Sequence, residues 1–353
     1  MSEGGTVPDA PLPIVLAIET SCDETAVAVL RGRADLLASV IASQIDLHRA
    51  YGGVVPEAAS RQHLREIAPL LGHGLATAGV TLDEIDAFAA TNGPGLASSL
   101  MIGAAVAKGL ALGRGKPFLG VNHLEGHLLS PFFGQPGGVR PSVGLVVSGG
   151  HTLLVAVEGF GRYRRLGGTL DDAAGEAFDK VGKLLGLPYP GGPEIDRLAR
   201  EGNARAYDLP RSMLGSGDGN FSFSGLKTAV RYLLPKLGTQ PLPDAVLADV
   251  CASFQEAVVE VLVRKTLAAA AAERCRLVTV SGGVSMNGRL RERFAAECVR
   301  RGYELLVSPP ALCTDNAAMI AAVAALGLES GLTSDLSEDI NPNLPLPFLS
   351  AAA

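Results

Sequence analysis

Two histidines, His123 and His127, stand four residues apart in the run Val121-Asn122-His123-Leu124-Glu125-Gly126-His127. On a helix such a pair shares one face, with Cβ atoms about 5–6 Å apart, a workable bite for one metal ion. The spacing suits two histidines satisfied within the fold as well, so on spacing alone both readings stand. A zinc protease fails on its mechanics. The HExxH pattern needs glutamate directly after the first histidine, and that position is Leu124. Glu125 falls about 200° around a helix from His123 and points away from the shared face. A third ligand has to come from elsewhere. Asp315, in Cys313-Thr314-Asp315-Asn316-Ala317, stands at the expected start of a helix, where capping is its alternative duty.

A second group of residues suits a nucleotide. Ser148-Gly149-Gly150 and Ser281-Gly282-Gly283 each close a strand, where glycine can take φ > 0 and let backbone N–H groups approach an anion. One such turn is ordinary turn chemistry; two in matched positions point to a phosphate or nucleotide between them. Neither is a GxxxxGK[ST] loop and no GxGxxG opens a helix, which disfavours P-loop and dinucleotide-binding folds. The segment Asp171–Lys180 reads as a helix with Asp172, Glu176, Asp179 and Lys183 on one stripe, either a solvated face or a wall for a ligand's hydroxyls. The loop Pro188–Pro193 follows, stiff and without side chains at Gly191 and Gly192, and Asp196 lies four residues past Gly192.

These residues need elements to hold them. Ile14–Glu19 and Thr25–Leu30 read as strands around the polar tip Thr20-Ser21-Cys22-Asp23-Glu24, with Leu36–Ala42 a third. Helices are expected at Pro56–Ala78 and Ala97–Leu112, with a strand at Ala87–Thr91 between them. The pattern then restarts. Ser142–Val147 and His151–Val157 read as strands around a polar turn, with Tyr163–Gly167 a third. Leu277–Val280 then leads through Ser281-Gly282-Gly283 into a helix from about Asn287. Two α/β halves, each opening with a hairpin, imply a duplicated architecture with a cleft between lobes.

The chain's 353 residues are enough for two such domains. The expected division is a disordered lead-in at 1–13, a first lobe at 14–140, a second at 141–330, and a tail at 331–353 that returns to the first. Hydrophobic residues make up 47% and charged residues 19%, the profile of a soluble α/β enzyme. Five scattered cysteines without CxxC spacing argue against a disulfide framework and for a reducing cytoplasm. No run reaches the ~18 apolar residues of a membrane span, and the N-terminus lacks a signal peptide's basic and apolar regions. A net charge of −6 offers no global pull on nucleic acid. Arginines do cluster at Arg162, Arg164 and Arg165, at Arg197, Arg200, Arg205 and Arg211, and at Arg289, Arg291, Arg293, Arg300 and Arg301. Each cluster is either a solvated face or a local grip on a polyanion.

Taken together, the motifs resemble the tRNA N6-adenosine threonylcarbamoyltransferase family, formerly called O-sialoglycoprotein endopeptidase. The resemblance runs from about Ile14 to Leu328. It rests on IETSCDET at Ile18–Thr25, NHLEGH at Asn122–His127, VSGGHT at Val147–Thr152, and the long run Asp171–Pro193. FSFSGLKTAV at Phe221–Val230, SGGVSMN at Ser281–Asn287 and CTDNAAMIA at Cys313–Ala321 complete it. It implies an actin/Hsp70/sugar-kinase-like (ASKHA) α/β fold of two duplicated lobes. The implied reaction moves threonylcarbamoyl from threonylcarbamoyl-AMP to N6 of the adenosine 3′ of the anticodon, in tRNAs reading codons that begin with A. The resemblance makes His123, His127 and Asp315 ligands of one transition metal ion, iron or zinc. It makes Val146, Val147, Ser148, Gly149, Gly150, Asp179, Gly192, Asp196 and Asn287 the adenylate site. Its bacterial members work with a degenerate paralogue (TsaB) and a small P-loop ATPase (TsaE).

An adenine amine is a poor nucleophile, so a carboxylate near it would help by taking its proton. Glu24 is the first candidate, for its longer reach, and Asp23 the second. Being adjacent in an extended segment, the two are expected to point apart. The rival readings are a metalloprotease, a sugar or small-acid kinase on the same fold, and a non-enzymatic Hsp70-like nucleotide binder.

Overall fold

The computed structural model describes residues 12–238 and 241–348. The lead-in expected at 1–13 therefore lies, apart from Leu12 and Pro13, outside the described residues. The chain begins with three antiparallel strands, β1 (Ile14–Glu19), β2 (Glu24–Arg31) and β3 (Asp35–Ser43). Helices α1 (Ile45–Arg49) and α2 (Pro56–Ala78) lead to β4 (Ala87–Gly93), α3 (Ala97–Arg114), β5 (Phe118–Asn122) and the short α4 (His123–Leu129). The five strands form one sheet in the order β3-β2-β1-β4-β5. The same plan follows with β6 (Ser142–Val147), β7 (Thr152–Gly159) and β8 (Arg162–Gly168), then helices α5 (Ala174–Leu184), α6 (Gly191–Ala199), α7 (Ser224–Leu233) and α8 (Asp244–Ala272). Strand β9 (Leu277–Ser281), α9 (Gly288–Arg301) and β10 (Glu304–Val307) complete a second sheet, ordered β10-β9-β6-β7-β8. Read from its hairpin outward, this is the order of the first.

Both sheets read as near-continuous apolar runs because both of their faces are covered. Alternate residues of β1 divide between two cores. Leu16 and Ile18 pack with Ile67 of α2 and Ala107 of α3, while Val15 and Ala17 face a central core. That core also holds Val146 and Val155 of the second sheet, Leu124 and Leu128 of α4, and much of α10 (Ala317–Glu329). Helices α5, α6, α8 and α9 cover the far face of the second sheet. Helix α10 follows the second sheet in the chain yet packs on β1 and β2. Beyond it, Ser334 bridges to Phe118 of β5 and Asn341 bonds the backbone of Asn92. Helix α4 and the start of α10 thus lie between the two sheets, where residues of both can converge.

Helix ends follow their local signals. Pro56 fits the first turn of α2, and Gly79, Gly115 and Gly302 end α2, α3 and α9 at positive φ. The segment from Asp171 differs from its expectation. Asp171 and Asp172 stay outside α5, which begins at Ala174. The acidic residues pair with Lys180, whose Nζ lies 2.6 Å from Asp172 and 3.0 Å from Glu176, and not with Lys183.

Candidate active site

Strand β5 delivers the chain into α4, and Asn122 caps that helix by accepting from the N–H groups of Leu124 and Glu125. The cap turns His123 and His127 onto one face, with their rings edge to face and centroids 4.8 Å apart. Both histidines are buried. Asp315 meets them from the loop before α10. Its Oδ1 lies 3.4 Å from His123 Nε2 and 3.0 Å from His127 Nε2. One potential ligand atom from each of the three residues falls within 4.8 Å of the others. Asp315 does not cap α10; that duty falls to Asn316, whose side chain accepts from the Met319 N–H. The carboxylate is left facing the histidines.

A buried frame orients this cluster. His123 Nδ1 lies 3.1 Å from Glu19 Oε2 and 3.1 Å from Ser21 Oγ. Glu19 ends β1 with no solvent exposure, and it also accepts from the Thr91 hydroxyl and the Ser21 N–H. Burial pushes the His123 imidazole down, but the charges of Asp315 and Glu19 outweigh it and hold the ring well above its ordinary value. Burial likewise pushes Asp315 up, and His123 outweighs it, so the carboxyl sits well below its usual range. Two imidazole nitrogens and one carboxylate oxygen, with a buried carboxylate behind the first ring, suit a zinc or iron ion. The donor set fits a metal. Glu125, between the two histidines, is engaged elsewhere: it accepts from the Tyr163 hydroxyl at 2.7 Å.

The second sheet brings its turn to the same place. Ser148-Gly149-Gly150 follows β6, and the next residue, His151, feels both His123 and His127. Burial and then those two rings push His151 down to about 4, so it is neutral near pH 7. Gly149 and Gly150 do not take positive φ, and nothing crowds the space where a Cβ would stand; it is Gly282, at φ 88, that needs its glycine, because a Cβ there would strike Val147 O. The turn, buried at Ser148 and exposed at Gly149 and Gly150, lies against the start of α5, with Gly175 N–H bonded to Ser148 O at 3.2 Å. A Cβ on Gly175 would lie 2.6 Å from that same oxygen, so this close approach also requires glycine. Val146 and Val147 are buried in β6 and can offer only backbone.

The remaining adenylate candidates sit on the helices of this half. Asp179 accepts from Gly191 N–H at 2.8 Å and also from Gly192 N–H, holding the start of α6. Burial outweighs those bonds and leaves its carboxyl raised. Asp196 pairs with Arg200 at 3.1 Å. Asn287 caps α9 through Leu290 N–H, and its Nδ2 donates to Gln255 Oε1 at 2.6 Å. Asp196, Gln255 and Gly288 line a cavity of about 600 Å³ with Arg200, Glu256 and Arg289. Asp196 thus lines this cavity, Asn287 is tied to it only through Gln255, and Asp179 stands apart with Gly192 at the start of α6.

The hairpin tip closes the cleft from the first half. Asp23 and Tyr189 interact, as do Asp179 and Tyr189, and burial followed by these carboxyls raises the Tyr189 phenol. Arg49 Nε donates to Tyr189 O at 3.4 Å across the same gap. Asp23 and Glu24 do not point apart: their carboxyls interact directly, and Ser43 Oγ donates to Glu24 Oε1 at 3.3 Å. Burial, then Asp23 and Asp315, push Glu24 up to about 9. Glu24 is therefore protonated at neutral pH, a poor state for taking a proton.

Comparison with known proteins decides the family. The model of the tRNA N6-adenosine threonylcarbamoyltransferase family matches residues 35–322. The chain is 51% identical to the tRNA N6-adenosine threonylcarbamoyltransferase of Albidiferax ferrireducens, covering 96% of this chain and 99% of the relative. The chain belongs to that family. A relative of the same name from Geobacter sp. strain M21 is 53% identical over 96% of this chain and 98% of its own length. Among solved structures, HypF of T. kodakarensis superposes with TM-score 0.58 at 14% identity, over 93% of this chain and half of that one. Component A of (R)-2-hydroxyglutaryl-CoA dehydratase from Acidaminococcus fermentans gives TM-score 0.53 at 14% identity, over 91% and 99%. These likenesses establish the fold alone: the duplicated, two-lobed ASKHA architecture. No helix among the described residues is long and apolar enough to cross a membrane.

Sequence reasoning missed Glu19, Ser21, His151 and Gln255 as members of the site. The first three lie inside quoted motifs, IETSCDET and VSGGHT, which was the available signal. Gln255 lies mid-helix and carries none.

Proposed function

We propose that the chain transfers threonylcarbamoyl from threonylcarbamoyl-AMP to N6 of the adenosine 3′ of the anticodon, in tRNAs reading codons that begin with A. The observation that supports this most directly is the meeting of the two halves at one point. The His123–His127–Asp315 cluster faces His151 and the Ser148–Gly150 turn, and the carboxyls of Asp23 and Glu24 stand on the same cleft.

The cavity beside Asp196, Gln255 and Gly288 is of nucleoside size, and its carboxylate suits hydroxyl groups. The N–H groups of Gly149 and Gly150 suit the phosphate, that of Ser148 being taken by His151 O, and the neutral His151 can donate one hydrogen bond without adding charge. His123, His127 and Asp315 would hold one iron or zinc ion, which when bound supplies Lewis-acid stabilisation of oxygen charge. In the reaction, adenine N6 attacks the carbamoyl carbon, the carbon–oxygen bond to the phosphate breaks, and AMP leaves with that electron pair. The amine loses one proton. In this reading Asp23 takes it, because Glu24 is pushed up by burial and by its neighbouring carboxyls. Glu24 then acts as a hydrogen-bond donor that holds Asp23 or the carbamoyl oxygen.

A TsaB-like paralogue and a TsaE-like ATPase are the proposed protein partners, in the cytoplasm where tRNA is modified. Nucleoside mass spectrometry of tRNA from cells depleted of this protein tests the reading: threonylcarbamoyladenosine should fall and return on re-expression. An unchanged level after depletion would refute it.

A further inference from the structure

Helix α7 (Ser224–Leu233), which overlaps the segment Phe221–Val230, has no part in the site so far described. Its apolar side is used: Leu226 and Val230 are buried in the core of the second half. The opposite side carries Lys227, Thr228, Arg231 and Tyr232, which helical geometry places on one face about 140° wide. Thr228 and Arg231 are exposed, Lys227 is half-buried, and Tyr232 keeps 69% of its surface in solvent. Lys236 follows, also exposed. Among the described residues, none of these three cations lies within 4.0 Å of a carboxylate. Elsewhere in the chain most cations are paired, Lys180, Arg211, Lys265 and Arg289 among them. From Gly219 to Pro243 there is no Asp or Glu at all, in a protein whose net charge is −6.

The helix is anchored toward the cleft. Asp171 accepts from Ser222 Oγ and Ser224 Oγ, both at 2.6 Å, and from Phe223 N–H at 2.8 Å, fixing the first turn of α7. Asp171 lies three residues before α5, whose Gly175 N–H bonds Ser148 O in the cleft turn. Helices α5 and α7 also pack on each other. The cationic face is thus built onto the same framework that holds the candidate phosphate turn.

We infer that this face of α7 is an RNA-contacting surface: Lys227 and Arg231 meet phosphates, and Tyr232 stacks on an unpaired base of the anticodon arm. Two unpaired cations beside one exposed aromatic match the chemistry of a looped single strand, which offers both phosphate charge and free base faces. Tyr232, exposed on the solvated face of α7, makes no side-chain hydrogen bond or ring contact among the described residues. The inference rests on the proposed tRNA substrate.

The test measures binding of the full chain, with its partner proteins, to an unmodified anticodon stem-loop RNA across a salt series. Binding of the adenylate donor is measured in parallel. Lys227→Glu with Arg231→Glu should weaken RNA binding tenfold or more and flatten the log–log salt slope by about two. Tyr232→Ala should cost about 5- to 100-fold with little change in slope, and Tyr232→Phe should restore it, because stacking does not need the hydroxyl. Donor affinity should stay within twofold in all variants, which also reports that they fold. Wild-type RNA affinity and slope in the variants would overturn the assignment while leaving the transferase reading intact. Intact RNA binding with loss of partner assembly would make the face a protein dock and overturn it equally. If the wild-type complex itself neither binds nor modifies tRNA, it is the substrate reading that falls.

Discussion

Glu19 Oε2 lies 3.1 Å from His123 Nδ1, and the other nitrogen of that ring faces Asp315 Oδ1 at 3.4 Å. The imidazole is therefore held between two carboxylates, one behind it at the end of β1 and one in front of it. A carboxylate behind a ligating histidine fixes its tautomer and raises its basicity. Glu19→Gln keeps the volume and removes the charge, and it should lower zinc affinity about 10- to 100-fold by competition titration. An affinity within twofold of wild type would show that Glu19 is only a structural tie between β1 and β4.

His123→Ala or His127→Ala should bring the purified protein below one tightly held transition metal per chain, read by elemental analysis. Full loading of the double variant would remove this cluster as the metal site. Glu125→Gln should keep its metal, because a glutamine can still accept from Tyr163 in the bond Glu125 makes at 2.7 Å. That variant also separates the transferase from the protease reading: a peptidase would lose its base, whereas transfer should continue near the wild-type rate.

Gln255 holds Asn287 through the 2.6 Å bond to its amide, and Asn287 caps α9 beside the cavity of Asp196. Gln255→Leu leaves that half-buried amide without its acceptor, which costs at most the about 1–3 kcal/mol of a fully buried orphan. We expect KM for the adenylate to rise about tenfold with kcat nearly unchanged, since the residue stands away from the reacting atoms. Gln255→Glu, which keeps an acceptor at the same reach, should recover most of the loss. Equal damage from both substitutions would show that packing on α8, not the hydrogen bond, sets the effect.

Much of the architecture was legible in the chain because each strand is a dense apolar run closed by a polar or glycine-rich turn. Ser142–Val147 was readable to the residue for that reason. Long-range pairing was not: nothing local says that β1 pairs with β4, or that α10 returns to pack on β1 and β2. The histidine pair was legible because helical spacing is a local property. The Glu19–His123 contact spans 104 residues and was invisible. Capping logic missed by one residue at Asp315, since Asn316 takes the cap. Alternation failed at Asp23 and Glu24, because Asp23 belongs to the turn before β2 and not to a pleated strand.

That pair gives a pH prediction with a fixed sign. Glu24 is pushed up to about 9 from an ordinary 4.5, first by burial and then by Asp23 and Asp315. Below the ordinary value both folded and unfolded chains are protonated there. Between about 4.5 and 9 the folded protein keeps a proton that the unfolded chain releases, so this group's contribution to stability falls as pH rises through that window. Glu24→Gln cannot titrate and should be less sensitive to pH across it, seen as a smaller fall in denaturation midpoint between pH 6 and pH 9. Identical pH slopes for the two proteins would show that Glu24 is ordinary and ionised. The catalytic counterpart follows. If Asp23 takes the proton, Asp23→Asn should cut single-turnover transfer by about 10²- to 10⁴-fold while sparing adenylate and metal binding. Glu24→Gln, which preserves a hydrogen-bond donor, should cost far less. The reverse ranking would return the base role to Glu24, and near-normal transfer in both would leave positioning as the whole contribution of the hairpin tip.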